Sequence, residues 1–266
     1  MTQTVPSPTV PAAFVSLAHQ LADAAGGVIR QYFRTPVAID DKADESPVTI
    51  ADRQAEQVMR DLVQASFPDH GIIGEEHGTL NGEAEWVWVF DPIDGTKAFI
   101  TGKPSFGTLI CLLHRGTPVL GVLDQPITRE RWIGVDGQGT TLNGAPLRVR
   151  ACDAVEKAAL YSTDPSMFKG EAWPAYQRLA EAVKLRRFGS DCYAYGLLAA
   201  GFVDLVCEAD LKLYDFAALI PIIREAGGLV TDWQGQTPGI GSDGRILAAG
   251  DARCHAQAIA RLQDMG

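Results

Sequence analysis

The hydrophobic and polar pattern of the first 67 residues predicts two amphipathic helices separated by a polar segment. Apolar residues recur at near-helical spacing between residues 13 and 33, which predicts the first helix. The segment AIDDKADESPV is polar and predicts a loop. Thr49 and Asp52 form a capping-box pattern, with Thr49 as the N-cap, and the helix that they open should run to about Phe67.

Strand patterns dominate residues 86–150, and strands alternate with helices after about residue 155. The first group of strands is WVWVF, FGTLICLLH, VLGVLDQ and RWIGV, followed by the turn-rich stretch DGQGTTLNGAPLRV. The second group is AALYS, LRRFG, FVDLVCE, LVTDW and ILAAG, with helices over 174–183, 191–201 and 215–226 and from Asp251 onward. This order predicts a mixed α/β fold in a single domain over 1–266, with sublobes of roughly 11–152 and 153–266.

Composition and charge argue against several classes of partner. The net charge is −10, and the densest basic stretch is KLRR at 184–187, so no nucleic-acid partner is expected. The chain shows neither a secretory leader pattern nor a run approaching ~18 apolar residues, so no membrane association is expected. The five cysteines are scattered without a CxxC pair, which indicates reduced thiols and predicts a cytoplasmic location.

The motif DPIDGT places two carboxylates directly after the apolar run WVWVF. Pro92 has no N–H and a fixed φ, so we expect the strand to end there and the chain to turn. Asp91 and Asp94 would then lie at the mouth of a strand, where α/β folds bind ligands. Gly95 permits close approach of the backbone, and Thr96 offers a hydroxyl. By itself the motif is equally consistent with a solvated turn.

Two further acidic points accompany this motif. Glu75 and Glu76 lie in the glycine-flanked turn GIIGEEHG. Asp215 lies in LYDFAALIPIIREAGG, at the start of what reads as an unbroken apolar helix, where it could act simply as an N-cap. Together, three groups of hard oxygen ligands without a Cys/His set favour magnesium over zinc.

The series GEE, DPIDGT and YDFAA…EAGG, in its order and spacing, resembles the inositol monophosphatase family of magnesium-dependent phosphatases. The resemblance covers nearly the whole chain. It implies a layered α/β/α/β/α sandwich, a homodimer, and about two to three Mg²⁺ ions per active site. The metal ligands that it implies are Glu75, Asp91, the carbonyl of Ile93, Asp94 and Asp215.

The same resemblance assigns roles in catalysis to several other residues. Thr96, with Glu76 nearby, would position and deprotonate the attacking water, and Asp52 would orient Thr96. Lys42 would lie in the outer shell of a weaker third metal ion. The backbone N–H groups of Gly95 and Thr96 would hold the phosphate.

The flanks of these motifs resemble the histidinol-phosphatase branch of the family. The relevant stretches are DPIDGTKAFITGKPSFGTLI and FGSDCYAYGLLAAGFVDLVCEADLKLYDFAAL. The chain departs from the usual pattern at His77, which replaces Ser in GEES, and at Leu213, which replaces Pro before YDF. The implied reaction is hydrolysis of the phosphate monoester L-histidinol phosphate to L-histidinol and phosphate, a step of histidine biosynthesis.

Carboxylates in the second half of the chain fit this substrate, because histidinol phosphate carries an ammonium and an imidazole. Asp191, Glu208 and Asp210 would favour a cationic leaving group, and the alternative for each is a solvated loop residue or a helix cap. The predicted substrate-binding set is Asp94, Gly95, Thr96, Gly189, Ser190, Asp191, Glu208 and Asp215. Tyr193 and Tyr195 could line the pocket or pack in the core, and Lys97 and Lys212 could contact phosphate or lie on the surface.

Other functions fit the same motifs. Within the enzyme class, the alternatives are an inositol-1-monophosphatase and a phosphatase of 3′-phosphonucleotides, although the chain lacks the basic patch that a bis-phosphorylated nucleotide would favour. An alternative of a different class is a non-catalytic metal-binding regulator with the same fold. The presence of an expected residue at every ligand position argues against that alternative.

Overall fold

The computed structural model describes residues 9–35, 39–41 and 47–264, and for 39–41 and 47–49 it describes the backbone alone. Lys42 lies outside these ranges, so its proposed place near a third metal ion stays a prediction. The side chain of Thr49 is also outside the description, and its capping role stays a prediction as well.

The helices of the described residues are α1 (Ala12–Tyr32), α2 (Ile50–Ser66), α3 (Thr96–Ile100), α4 (Ala172–Ala182), α5 (Tyr193–Ala199), α6 (Leu213–Phe216), α7 (Leu219–Glu225) and α8 (Ala252–Gln263). The strands are β1 (Ile39–Asp41), β2 (Pro47–Thr49), β3 (Gly71–Gly74), β4 (Gly78–Leu80), β5 (Trp86–Asp94), β6 (Gly107–His114), β7 (Thr117–Gln125), β8 (Glu130–Val135), β9 (Gly139–Leu142), β10 (Ala145–Leu147), β11 (Ala159–Ser162), β12 (Leu185–Phe188), β13 (Leu205–Glu208), β14 (Leu229–Thr231) and β15 (Ile246–Ala249). The predicted helices and strands are present, but the predicted polar loop contains the antiparallel pair β1–β2.

The larger sheet has eight strands in the order β10-β9-β8-β7-β6-β5-β3-β4. Neighbouring strands in this sheet are antiparallel, except that β3 and β5 run parallel to each other. Helices α1 and α2 pack on one face of this sheet, and α5, α6 and α7 pack on the other. Both faces are therefore covered, which explains why β6 and β7 are apolar on nearly every residue instead of alternating.

The smaller sheet has five strands in the order β12-β11-β13-β15-β14 and is also mixed. Its side chains alternate between two cores: Val206 packs toward α5 and α7, whereas Leu205 and Cys207 pack toward α4 and α8. Helices and sheets thus stack as α/β/α/β/α, which confirms the predicted layered architecture. The larger sheet ends at Leu147 and the smaller begins at Ala159, but the division into sublobes near residue 152 stays a prediction.

Helix α1 is long and apolar enough, by length and composition alone, to cross a membrane. In the structure its apolar stripe packs against β6 and β7 and against α2. Leu21, Ala22, Ala25 and Ile29 on this stripe have no exposed surface. The helix therefore has the burial pattern of a core helix.

The helix predicted over 215–226 is two helices, α6 and α7, separated at Ala217 and Ala218. Pro221 supplies a physical reason, because its ring lacks an N–H and would clash with the carbonyl of Ala217 in a continuous helix. Asp215 is the third residue of α6 and not its N-cap, which corrects the prediction. Its carboxylate accepts the N–H of Lys212, the actual N-cap, at 2.6 Å.

Candidate active site

The DPIDGT motif lies in a β-bulge at the end of β5. The strand does not end at Pro92, as the sequence predicted, but continues to Asp94. Asp91 pairs with Leu109 and Asp94 with Gly107, so three steps along β5 match two along β6. Residues three apart would face opposite sides of a regular strand, and the extra residue brings Asp91 and Asp94 to the same pocket.

An acidic cluster forms where the end of β5 meets the start of α6. Carboxylate oxygens of Asp91, Asp94 and Asp215 all lie within 4.8 Å of one another. They contribute to a pocket of about 290 Å³. Its lining is Glu75, Asp91, Ile93, Asp94, Gly95, Thr96, Lys97, Thr163, Met167, Asp191, Cys192, Tyr195, Glu208, Leu211 and Asp215. All five predicted metal-binding residues therefore meet in one pocket.

The electrostatics of this cluster suit a bound cation. Burial raises the pKa of Asp91 well above its usual range, and the neighbouring charges of Glu75 and Asp94 raise it further. Burial and the charge of Asp215 do the same to the pKa of Asp94. Asp91 Oδ1 is buried and has no hydrogen-bond partner among the described residues. These oxygens need positive charge to stay ionised, and a hard divalent cation such as Mg²⁺ fits them.

The turn between β3 and β4 brings Glu75 to the cluster. Strand β3 is parallel to β5, so its carboxyl end lies beside that of β5, with Gly74 opposite Phe90. The N–H of Glu75 donates to the carbonyl of Phe90 at 3.2 Å, which continues this pairing by one residue. The side chain of the next residue, Glu76, is only 4% exposed, and Arg53 Nε lies 3.8 Å from its Oε2.

A buried glutamate of α2, which was not predicted from the sequence, accepts hydrogen bonds from this turn. Glu56 of α2 has no exposed surface, and its carboxylate accepts the N–H groups of Glu76 at 2.8 Å and His77 at 3.1 Å. Asp52, Glu56 and Arg60 are spaced four apart, so they form one buried charged stripe along α2. That spacing was available in the sequence and could have revealed Glu56.

Gly95 allows a side chain from the second half of the chain to pack against the bulge. It has φ +89° and is the N-cap of α3. A Cβ at this position would lie 2.8 Å from Cγ of Asp191. The adjacent N–H of Cys192 donates to Asp94 Oδ2 at 2.7 Å. The end of β5 and the turn before α5 are thus in direct contact, through packing at Gly95 and through a hydrogen bond to Asp94.

Two further acidic side chains line the same pocket, and their charges raise the pKa of Asp94. Glu208 is buried at the end of β13, accepts hydrogen bonds from the hydroxyls of Thr163 and Tyr195, and has its pKa raised by burial to about 7. Asp191 has a left-handed backbone, with φ +46°, and accepts the hydroxyl of Ser105 at 3.1 Å. Burial also raises the pKa of Asp191. Both carboxylates were predicted from the sequence, but Thr163, which lies outside the quoted motifs, and Ser105, which lies within DPIDGTKAFITGKPSFGTLI, were not.

Comparison with known proteins agrees with this geometry. The family model described as "Inositol monophosphatase family" matches residues 11–266. The chain belongs to the inositol monophosphatase family. It is 51% identical over 259 residues to the "Bifunctional phosphatase IMPL2, chloroplastic" of Arabidopsis thaliana, covering 94% of this chain and 75% of that protein. It is 35% identical over 240 residues to a histidinol-phosphatase of Chlorobaculum parvum, covering 88% and 91%.

A solved inositol monophosphatase from Zymomonas mobilis superposes on the chain with a TM-score of 0.88. The two are 45% identical, and the match covers 96% of this chain and all of that one. Membership of this family makes the chain a phosphatase, as predicted. The predicted resemblance and fold class are likewise confirmed.

Several residues that were candidates for pocket contacts lie outside the pocket lining. Asp210 is exposed and forms an ion pair with Lys169 at 2.6 Å. Tyr193 donates to Glu130 at 2.7 Å and packs edge-on against a tryptophan of β8. Lys212 is exposed and outside the pocket lining, which agrees with a surface position.

Other predicted residues lie near the pocket without lining it. Gly189 and Ser190 precede Asp191 but are absent from the pocket wall, so their substrate contacts stay predictions. Lys97, by contrast, is exposed and does line the pocket. His77 faces away, with Nε2 3.1 Å from the carbonyl of Arg53, as expected of a turn residue.

The predicted water-activating residues are Thr96, Asp52 and Glu76, and the hydrogen bonds of the structure test only part of this arrangement. The hydroxyl of Thr96 donates to the carbonyl of Ile93 at 3.2 Å. Asp52 is buried in the first turn of α2, close enough to Asp91 for its charge to raise the pKa of that carboxyl. The orientation of Thr96 by Asp52 and the assistance from Glu76 stay predictions.

Proposed function

We propose that this phosphatase hydrolyses L-histidinol phosphate to L-histidinol and phosphate in histidine biosynthesis. The observation that carries the proposal is the arrangement of one pocket. A cluster of repelling carboxylates suits metal ions and phosphate. Two further buried carboxylates, Glu208 and Asp191, line the same pocket and suit a cationic leaving group. The relative named histidinol-phosphatase supports the same substrate.

The proposed cofactor is Mg²⁺, at about two to three ions per active site. Glu75, Asp91, Asp94 and Asp215 would hold the ions through carboxylate oxygens, and Ile93 would do so through its carbonyl. The side chain of Ile93 is fully buried in the core next to α1 and α2, so only its backbone is available to the pocket. When bound, these ions neutralise a phosphate dianion and lower the pKa of a bound water.

The chain's own groups then bind the ester and orient the water. The first N–H groups of a helix have no partner within the helix, so Gly95 and Thr96 at the start of α3 would donate to phosphate oxygens. The hydroxyl of Thr96, oriented by Asp52, would hold the attacking water, and the water's proton would pass to the nearby carboxylate of Glu76. In-line attack on phosphorus needs positioning more than covalent help from the protein, and these groups supply it.

Glu208 and Asp191 would select the alcohol that leaves. Both are buried, so an ammonium or imidazolium that enters the pocket exchanges water for charge-assisted hydrogen bonds. The hydroxyls of Thr163 and Ser105 hold the two carboxylates in place. Inositol carries only hydroxyl groups and would leave both carboxylates without a cationic partner.

The remaining parts of the proposal concern the setting of the enzyme. We propose one catalytic domain over residues 1–266, a homodimer, and a cytoplasmic location. Its partner is a small phosphate monoester, with neither nucleic acid nor membrane involved. The net charge of −10 is consistent with a substrate drawn to local metal ions instead of the overall field.

The experiment that tests this function compares kcat/KM with Mg²⁺ for histidinol phosphate, inositol-1-phosphate and a 3′-phosphonucleotide. We expect histidinol phosphate to be preferred by at least ~100-fold, about 2.7 kcal/mol of differential transition-state binding. Equal or faster turnover of inositol-1-phosphate would contradict the substrate assignment. Absence of turnover on all three, with Mg²⁺ binding retained, would favour the non-catalytic regulator.

Inositol-1-phosphate is the second candidate substrate because the solved structure of an inositol monophosphatase is 45% identical to this chain. A 3′-phosphonucleotide is less consistent with the pocket. Its second phosphate would have to approach the Glu208 and Asp191 wall, where like charges repel it.

A further inference from the structure

Glu56 connects helix α2 to the turn that carries Glu75 and Glu76. Its Oε2 accepts the N–H of Glu76 at 2.8 Å, and its Oε1 accepts the N–H of His77 at 3.1 Å. Arg60 donates to Glu56 Oε1 at 2.8 Å and also to the carbonyl of Gly78 at 3.0 Å. Three hydrogen bonds therefore attach one helix to three consecutive residues of one turn, and the fourth joins Arg60 to Glu56 within the helix.

The fit between this carboxylate and the turn is close. Gly74 lies directly over Glu56, and a Cβ at Gly74 would overlap the carboxylate. Glu56 has no exposed surface and Arg60 is 9% exposed, so water does not compete for these hydrogen bonds. A buried charged pair of this kind is costly to desolvate and adds little stability by itself, which suggests another reason for its presence.

We propose that Glu56 is a positioning residue of the metal site. By fixing the N–H groups of Glu76 and His77, it sets the direction in which the chain leaves β3, and hence the placement of the Glu75 carboxylate beside Asp91. The inference rests on the proposed function in one respect, the role of Glu75 as a metal ligand. Glu56 itself does not line the pocket and would not touch metal or substrate.

The physical basis is preorganisation of a ligand that repels its neighbours. The charge of Glu75 raises the pKa of Asp91, so without constraint Glu75 would turn away from the cluster. Two hydrogen bonds to the adjacent peptide groups oppose that motion. Partners that hold metal ligands in this indirect way typically contribute about 10- to 100-fold to metal affinity.

The chain offers a matched control at Glu225. Its Oε2 accepts two backbone N–H groups of another turn, from Gly137 at 3.1 Å and Gly139 at 3.3 Å. The turn between β8 and β9 is outside the pocket. Glu225→Gln therefore makes the same change of charge at another turn attachment outside the pocket, where its remaining amide oxygen can still accept both N–H groups.

The test titrates Mg²⁺ into metal-free protein by calorimetry for the wild type, Glu56→Gln and Glu225→Gln. We expect Glu56→Gln to bind Mg²⁺ about 10- to 100-fold more weakly, and Glu225→Gln to bind within about twofold of the wild type. Amide hydrogen exchange of the metal-free proteins should show faster exchange at Glu76 and His77 in Glu56→Gln alone. Thermal unfolding measures the stability of both variants, so that weaker Mg²⁺ binding can be distinguished from a loss of folded protein.

Unchanged Mg²⁺ affinity in folded Glu56→Gln would overturn the inference, as would equal weakening in both variants. If Glu56→Gln does not fold, Arg60→Lys replaces it, because lysine keeps the charge but cannot bridge Glu56 and Gly78 in the same way. That variant should weaken Mg²⁺ binding about two- to tenfold, and unchanged affinity would again overturn the inference. Because the readout is binding, failure of the wild type to hydrolyse histidinol phosphate would contradict the proposed function alone.

Discussion

The acidic pocket and a groove beside α1 both bury an aspartate, but they balance its charge in opposite ways. In the groove, Asp124 is 5% exposed and forms an ion pair with Arg131 at 2.6 Å, and Arg131 also pairs with Asp23 at 2.8 Å. In the pocket, Asp91 is 2% exposed and its closest charged neighbours are other carboxylates.

Burial raises the pKa of both aspartates, but the neighbouring charges act in opposite directions. Arg131 lowers the pKa of Asp124 against the effect of burial, whereas Glu75 raises the pKa of Asp91 further. The groove is the larger cavity, at about 490 Å³ against about 290 Å³. Cavity size therefore does not indicate the active site in this fold. Uncompensated buried carboxylate does, because it requires a cation from outside the chain.

Removing one carboxylate from the pocket should have the largest effect. Asp91→Asn deletes a proposed metal ligand while relieving repulsion, so kcat/KM should fall by at least ~10³-fold, about 4 kcal/mol. Steady-state phosphate release measures this loss. The metal-free variant should unfold at the same or a higher temperature than the wild type. Near-wild-type turnover would contradict the metal assignment.

The same change in the groove should affect stability and not activity. Asp124→Asn leaves Arg131 with one fewer buried partner, and breaking such a pair costs about 3 kcal/mol of unfolding free energy. Denaturant titration measures that cost. The value of kcat/KM should stay within about twofold of the wild type, since the groove has no role in the proposed chemistry. A loss of activity beyond the loss of folded protein would show that the two regions are coupled.

The substrate wall of the pocket should control selectivity. Glu208→Gln keeps the shape and the contact with Tyr195 but removes the charge that faces a cationic leaving group. The preference for histidinol phosphate over inositol-1-phosphate should fall about 30-fold, or about 2 kcal/mol. Parallel kcat/KM measurements on both esters give the ratio, and an equal decrease for both would assign Glu208 to the metal or phosphate side.

The pH dependence of stability offers a smaller test of the same contrast. The pKa of Asp215 and of Glu208 is about 7 in the folded, metal-free chain, above their unfolded values. The folded state therefore binds more protons between those values, and stability should rise as pH falls. Thermal unfolding should show that the metal-free protein is more stable at pH 6 than at pH 8, by about 1.4 kcal/mol for each of the two groups.

Saturating Mg²⁺ is the control for this measurement. Bound cations keep Asp215 ionised but are not proposed to contact Glu208, so the difference in unfolding temperature between pH 6 and pH 8 should fall by about half. Asp124→Asn, which lies outside the pocket, should retain the pH dependence of the metal-free wild type. A metal-free protein that is more stable at the higher pH would contradict the raised pKa values.

The features that were predicted correctly are those encoded by local sequence. The periodicity of α1 and α2 and the apolar runs of β6 and β7 depend on side chains within a few residues. Two separate motifs also identified Asp91, Asp94 and Asp215, which the fold brings together. Pro221 was also visible in the sequence, and its effect on a continuous helix could have been predicted from the proline alone.

Features that depend on pairing between distant segments were not predictable in the same way. The bulge at Pro92 exists because β5 and β6 pair with different residue counts, so no pattern within β5 reveals it. The positive φ of Asp191 likewise reflects its packing on Gly95. Thr163 and Ser105 are ordinary hydroxyl residues until the fold places them beside Glu208 and Asp191. Their roles emerge only in three dimensions.

The most direct test of the contrast between pocket and groove is anomalous diffraction from crystals grown with Mn²⁺ and inorganic phosphate. Manganese prefers the same oxygen ligands as magnesium and scatters anomalously. We expect anomalous peaks among Asp91, Asp94 and Asp215, with phosphate beside the start of α3, and none in the groove around Asp124 and Arg131. A pocket without manganese, or manganese bound in the groove instead, would contradict it.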